Sequence, residues 1–145
     1  LEYASKKGAI TGFLTCNNIK PVRYINHIIK VVVGPEIISG STRLKAGTAT
    51  KMVLNMISTV SMIKLNHTFG NTMIDLVPKN EKLIQRALSI IMNELSINKN
   101  SAEELYNLAQ RNLKAAIVMG KKNLSYNEAY KILNDNNNSL KEALN

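Results

Sequence analysis

The run Val33-Gly34-Pro35-Glu36-Ile37-Ile38-Ser39-Gly40-Ser41-Thr42-Arg43-Leu44-Lys45-Ala46-Gly47-Thr48-Ala49 joins an apolar segment to a long helix-forming one through small, hydroxylated and basic residues. Upstream, His27–Val33 is apolar on both faces, as in a strand of a parallel sheet covered by helices. Downstream, Thr42 to about Leu65 reads as the principal helix. Met52, Val53, Met56, Ile57, Val60 and Ile63 recur there at helical spacing. That stripe is expected to be core, its thioethers filling irregular gaps. The connection itself has the parts of a small-anion site. Amides at a helix start lack intrahelical partners, and the helix dipole favours negative charge there. Gly40 permits close approach of backbone to a ligand, Ser39, Ser41 and Thr42 offer hydroxyls, and Arg43 and Lys45 add charge. Ser and Thr are equally ordinary helix caps, and neither a Walker pattern nor a GxGxxG spacing is present. Composition therefore leaves an anion site and a plain cap both open.

Glu36 is the strongest ionisable candidate, because it sits just past the end of the expected parallel strand, where ligands bind in open α/β sheets. Its carboxylate could accept from sugar hydroxyls or cap the following turn. Arg43 and Lys45 lie two apart and point in different directions on a helix, so at most one is expected to touch an anion. Gly47 is read as a close-packing position.

Working outward, residues 1–7 read as a helix end with Gly8 as its stop, and Ala9–Thr15 as a buried strand. Asn17, Asn18 and Pro21 mark a turn or short helix before the second strand. Helix, strand, crossover, strand, helix is the rhythm of an α/β layered fold. After the principal helix a loop is expected from Asn66 to Lys79, then an amphipathic helix, Asn80–Leu95, with Leu83, Ile84, Ala87, Leu88 and Ile91 on its apolar face. A helical tail begins near Ile97–Asn100. Ser101 with Glu104, Ser125 with Glu128 and Ser139 with Glu142 each fit the capping box, and Asn112 starts a further helix. The polar run Asn134–Asn138 separates the last two.

The quoted run resembles the signature of the N-acetylmuramic acid 6-phosphate etherases, sugar-isomerase-type (SIS) domain proteins related to the animal glucokinase regulatory protein. The resemblance continues through Lys51-Met52-Val53-Leu54-Asn55-Met56-Ile57-Ser58-Thr59, Phe69-Gly70-Asn71-Thr72-Met73-Ile74-Asp75 and Asn80-Glu81-Lys82-Leu83. These four ordered blocks cover about the first two-thirds of the chain; the tail more weakly resembles the ubiquitin-associated-like bundle that ends bacterial members. The resemblance implies an α/β fold: residues 1–97 as the C-terminal half of a SIS-type parallel-sheet sandwich, and residues 98–145 as a small helical bundle serving packing or dimerisation. It further implies a carbon–oxygen lyase that cleaves the D-lactyl ether of N-acetylmuramic acid 6-phosphate during recycling of cell-wall sugar. The products are N-acetylglucosamine 6-phosphate and D-lactate. The proton transfers suit carboxylates of raised pKa and need no cofactor or metal. In the family those glutamates lie in the preceding half, so no catalytic residue is expected in this chain. Starting at Leu1 within a crossover helix, it is expected to be the C-terminal part of a longer, normally homodimeric protein and inactive alone. Its substrate-binding wall would comprise Glu36, Ser39, Gly40, Ser41, Thr42, Arg43 and Lys45. A non-catalytic sugar-phosphate sensor, like the animal relative, is the alternative.

Composition narrows the classes. The chain has 145 residues, 45% of them hydrophobic, enough for one ordinary domain or a partial domain with a small one. Its net charge of +9 invites a nucleic-acid reading, but Lys and Arg are scattered from Lys6 to Lys141 among acidic residues. Tyr106, Tyr126 and Tyr130 fall at helical positions, so no nucleic-acid partner is expected. No stretch approaches a membrane span or a signal peptide, making the cytoplasm the default compartment. The single cysteine, Cys16, is read as a small buried residue. His27 and His67 lack partners at metal-ligand spacing, and Asn71 and Asp75 read as structural hydrogen-bonding residues.

Overall fold

The computed structural model describes all residues from Leu1 to Asn145, and the chain divides into two compact units, Leu1–Val60 and Ser61–Asn145. The fold is mixed α/β with one small parallel and one small antiparallel sheet.

In the first unit, α1 (Glu2–Lys6) gives way to Gly8, whose φ of +82° is a left-handed stop that glycine adopts freely. Strands β1 (Gly12–Thr15) and β2 (His27–Lys30) pair in parallel, with Gly12 opposite His27 and Thr15 opposite Lys30. Thr11 anchors the crossover between them. Its hydroxyl donates to the carbonyl of Tyr24 at 2.7 Å, and its amide donates to Asn26 Oδ1 at 2.8 Å. The parallel pairing matches the expectation from sequence, but burial does not. Thr11 is the one fully buried residue at this edge, whereas Ile10 and Val32 are exposed and Phe13 and Ile29 only partly covered.

The same correction applies to the principal helix. Helix α2 (Lys45–Lys64) forms where the periodicity places it, beginning at Lys45 rather than Thr42. None of its residues is buried: Met52, Met56, Ile57, Val60 and Ile63 are exposed and Val53 is half-buried. The reason is area. Two four-residue strands cannot cover a helix of 20 residues. Leu54 and Met62 add exposed apolar surface off the predicted stripe, the composition of a helix built to be enclosed on more than one side. Cys16 is half-buried, not buried; its thiol donates to the carbonyl of Ala46 at 3.6 Å and lies 3.7 Å from Thr50 Oγ1, tying the end of β1 to α2.

The second unit holds most of the core. Within the segment expected to be a loop, β3 (Thr68–Phe69) and β4 (Thr72–Met73) form an antiparallel hairpin around Gly70-Asn71. A Gly-Asn pair between β-branched and apolar residues is a hairpin signal, and Gly70 takes the positive φ such a turn requires. Five helices follow: α3 (Glu81–Leu95), α4 (Lys99–Leu108), α5 (Leu113–Lys122), α6 (Tyr126–Asp135) and α7 (Leu140–Leu144). Asn80 caps α3 by accepting from the Leu83 amide, Asn112 caps α5 through the Ala115 amide, and Ser139 caps α7 through the Glu142 amide. Ser125 and Glu128 form the complete reciprocal box that opens α6. The expected box at Ser101 and Glu104 is not formed. Helix α4 starts earlier, with Asn98 accepting from the Ser101 amide, because Asn98 is itself a strong cap and the earlier start adds helical hydrogen bonds.

Helix α5 is the centre of this unit. Every residue from Leu113 to Met119 is buried, enclosed by Ala87, Leu88 and Ile91 of α3, Ala102 and Tyr106 of α4, Ala129 and Leu133 of α6, and Leu140 and Ala143 of α7. Ile74 and Leu76 close the core from the hairpin side. On α3 the predicted face is present, with Leu83 and Ile84 half-buried and Ile90 buried in addition. Gly120 lets α5 approach α3: a Cβ there would collide with Leu95 Cδ1.

Candidate functional site

The segment from Gly34 to Leu44 is an irregular loop that folds back on the start of α2. Gly34 and Gly40 adopt φ of +70° and +79°, conformations that side chains with a Cβ rarely take, and these two bends set the path of the loop. The returning chain delivers Glu36 to the helix start. Its Oε2 accepts from the Lys45 amide at 2.9 Å and its Oε1 from the Ala46 amide at 3.0 Å. Both oxygens therefore satisfy amides that a helix cannot satisfy itself, and the carboxylate's charge is favourable at the positive end of the dipole. The amide of Ala46, then that of Lys45, then the Lys45 charge hold the Glu36 carboxyl below the ordinary glutamate range.

The helix-start amides on which the expected anion site relied are already taken in this structure. The amides of Lys45 and Ala46 are occupied by Glu36, and those of Ser41, Thr42 and Leu44 donate to the carbonyls of Ile38, Gly40 and Ser41. What the segment presents is instead side chains: the Ser39, Ser41 and Thr42 hydroxyls and the Arg43 and Lys45 cations make no hydrogen bond within the chain. Thr42, Arg43, Lys45, Ser39 and Gly40 are exposed and Ser41 half-buried. Gly47 serves the packing role read from sequence. Its amide donates to the Thr42 carbonyl at 2.8 Å, and an added Cβ would lie 3.3 Å from that oxygen.

The remaining candidates lie apart from this loop in sequence. His27 is exposed on β2. His67 Nδ1 pairs with Asp75 across the base of the hairpin, where the Ile74 amide also donates to the His67 carbonyl at 3.1 Å. Asn71 is exposed at the hairpin tip. No three His, Cys, Asp or Glu side chains gather as a metal-binding group, and no helix is long and apolar enough to cross a membrane. Sequence reading missed Lys114, which lies inside the core run of α5 and is only 8% exposed. Its lone charge within the otherwise apolar stretch Leu113–Met119 was the available signal.

No protein-family model matches the chain. Curated relatives do. The chain is 43% identical over 145 residues to N-acetylmuramic acid 6-phosphate etherase 1 of Enterococcus faecalis, a match covering 99% of this chain and 48% of the relative. It is 44% identical over 146 residues to N-acetylmuramic acid 6-phosphate etherase of Staphylococcus epidermidis, covering 100% of this chain and 50% of the relative. The enzyme of that name from Bacillus cereus is 44% identical over 145 residues, covering 99% and 49%. The chain thus spans about half the length of the curated relatives it matches, and it is similar to that half from end to end.

Proposed function

We propose that the chain is the C-terminal part of an N-acetylmuramic acid 6-phosphate etherase, a lyase that releases D-lactate and N-acetylglucosamine 6-phosphate in cell-wall sugar recycling. The observation that carries this reading is the identity of 43–45% sustained along the whole chain with curated etherases from several bacteria. Residues 1–97 would belong to the SIS-type sugar-phosphate domain and residues 98–145 to its helical tail, in a cytoplasmic homodimer that uses neither metal nor cofactor.

The chain's own share of the chemistry is substrate binding. Glu36 keeps its charge and the shape of the loop through the two amides it accepts from. A carboxylate has about four acceptor sites, so it retains capacity for sugar hydroxyls. The phosphate would rest on the Ser39, Ser41 and Thr42 hydroxyls and one of the two cations, Arg43 or Lys45, with Gly40 keeping the approach open. Elimination of lactate, by removal of the proton beside the sugar carbonyl and protonation of the departing oxygen, would fall to carboxylates outside these 145 residues.

The test is to join the chain to the other half of an etherase and follow D-lactate release from N-acetylmuramic acid 6-phosphate. Turnover in the joined protein, lost or weakened through KM in Ser41→Ala and Arg43→Ala, is the expected result. Sugar-phosphate binding without turnover would replace the lyase with a sensor. Unchanged KM in both variants would remove the loop from the site.

A further inference from the structure

In the second unit a cavity of about 340 Å³ opens between the hairpin base, the start of α5 and the end of α6, lined by His67, Asp75, Lys114, Tyr130, Asn134 and Asn137 among others. We propose that this cavity binds a small oxyanion, a carboxylate or phosphate, which sits against the Lys114 ammonium.

Lys114 carries the argument. Its ammonium donates to the Asn66 carbonyl at 2.9 Å and the Asn138 carbonyl at 3.2 Å, while the residue is only 8% exposed. An ammonium has three donors, and two are used. No carboxylate pairs with it, since the ion pairs of the chain are Lys6 with Glu2 and His67 with Asp75. A charge removed from water without a counter-ion is costly, and carbonyl dipoles offset only part of that cost. The cavity adjoining it is where a counter-ion can enter. Its volume is far above the roughly 30 Å³ share of one water and within the range of small-ligand sites.

The rest of the lining suits an anion. Asp75 pairs with the Nδ1 edge of His67, so its carboxylate already has a partner. The side-chain amides of Asn134 and Asn137 and the Tyr130 hydroxyl are further orientable donors at the wall. The charged or titratable groups facing the cavity are Lys114, Asp75, His67 and the Tyr130 phenol. The Asp75 carboxylate is engaged by His67, which leaves the Lys114 ammonium as the charge at this wall without an opposite charge. A cation would meet the Lys114 charge, and a neutral polyol would leave that charge uncompensated.

The test uses the whole chain, titrated separately with sodium phosphate and sodium acetate at constant ionic strength while the His67 ring nitrogens are followed by NMR. A saturable shift with at least one anion is expected. The arm that saturates at lower concentration identifies phosphate or carboxylate as the ligand. Lys114→Met should weaken binding about tenfold or more through loss of a charge-assisted contact. Because that variant removes bonds to two carbonyls and could unfold, Asn134→Leu provides a second test: the position is exposed, and the apolar side chain would occupy the cavity. Absence of saturation with both anions, or wild-type affinity in a folded Asn134→Leu protein, would overturn the proposal.

Discussion

Tyr106 offers a prediction whose sign runs against the usual cost of altering a core. The side chain belongs to α4, is 2% exposed, and its hydroxyl is buried without a hydrogen-bond partner. In the unfolded chain that hydroxyl bonds to water, so folding strands it, at a cost of about 1–3 kcal/mol. Tyr106→Phe removes the stranded group. The deletion also forfeits a few dispersion contacts of roughly 0.1–0.2 kcal/mol each and leaves a void smaller than a methyl group. The balance is a gain of about 1 kcal/mol, equivalent to a rise in Tm of roughly 4–8 °C for a domain of 60–100 residues. Urea unfolding followed by circular dichroism should show a higher midpoint with an unchanged slope. A second readout comes from pH. Burial pushes the Tyr106 phenol above its ordinary value, although the nearby Arg111 charge draws it partly back. Above about pH 10 the unfolded chain therefore loses the proton first, the folded chain binds more protons, and stability falls as pH rises. Tyr106→Phe should remove that part of the alkaline decline. A variant less stable than wild type by more than about 0.5 kcal/mol would refute the reasoning, because it would mean that the hydroxyl is bonded in solution.

Two further outcomes follow from the same packing. Ile117→Ala, at a fully buried position on α5, should cost about 2–5 kcal/mol; a loss under about 1 kcal/mol by urea unfolding would show that α5 is not the centre of the core. Glu36→Gln should weaken the hold on the Lys45 and Ala46 amides, read as faster hydrogen exchange at those two positions. In the wild type the folded-state pKa is depressed, so the contribution is present above the ordinary glutamate range and fades as pH falls through the lowered value. The two amide resonances should accordingly titrate below about pH 4.3, and titration at or above that value would contradict the capping geometry.

The local devices of this fold are legible in its residues. Gly8 ends a helix, Asn80, Asn112, Ser125 and Ser139 start helices, and apolar spacing locates α2 and α3, because each signal acts within about one helical turn. The hairpin at Gly70-Asn71 is equally local, its turn lying between the pairs Thr68-Phe69 and Thr72-Met73, each a β-branched residue followed by an apolar one. The Asn98 start of α4 shows the limit of that approach: where two good caps stand three residues apart, the backbone hydrogen bonds gained by the longer helix decide between them.

The candidate site was half legible. Small, hydroxylated and basic residues between a strand and a helix left an anion-binding loop and a plain helix cap both open, and they could not show which groups would take the first amides of α2. The fold decided that by returning Glu36 to Lys45 and Ala46, which leaves the side chains of Ser41, Thr42 and Arg43 to meet any ligand.

By itself, the sequence determined where most of the helices lie, which stripe of α2 is apolar and how closely the whole chain follows half of the etherases, since these depend on neighbouring residues and their order. Only the tertiary structure decided that the α2 stripe stays uncovered, that Tyr106 loses its partner, and that Lys114 reaches carbonyls 48 and 24 positions away. Burial and long-range hydrogen bonding depend on which surfaces meet, and no periodicity within a single helix records what will be packed against it.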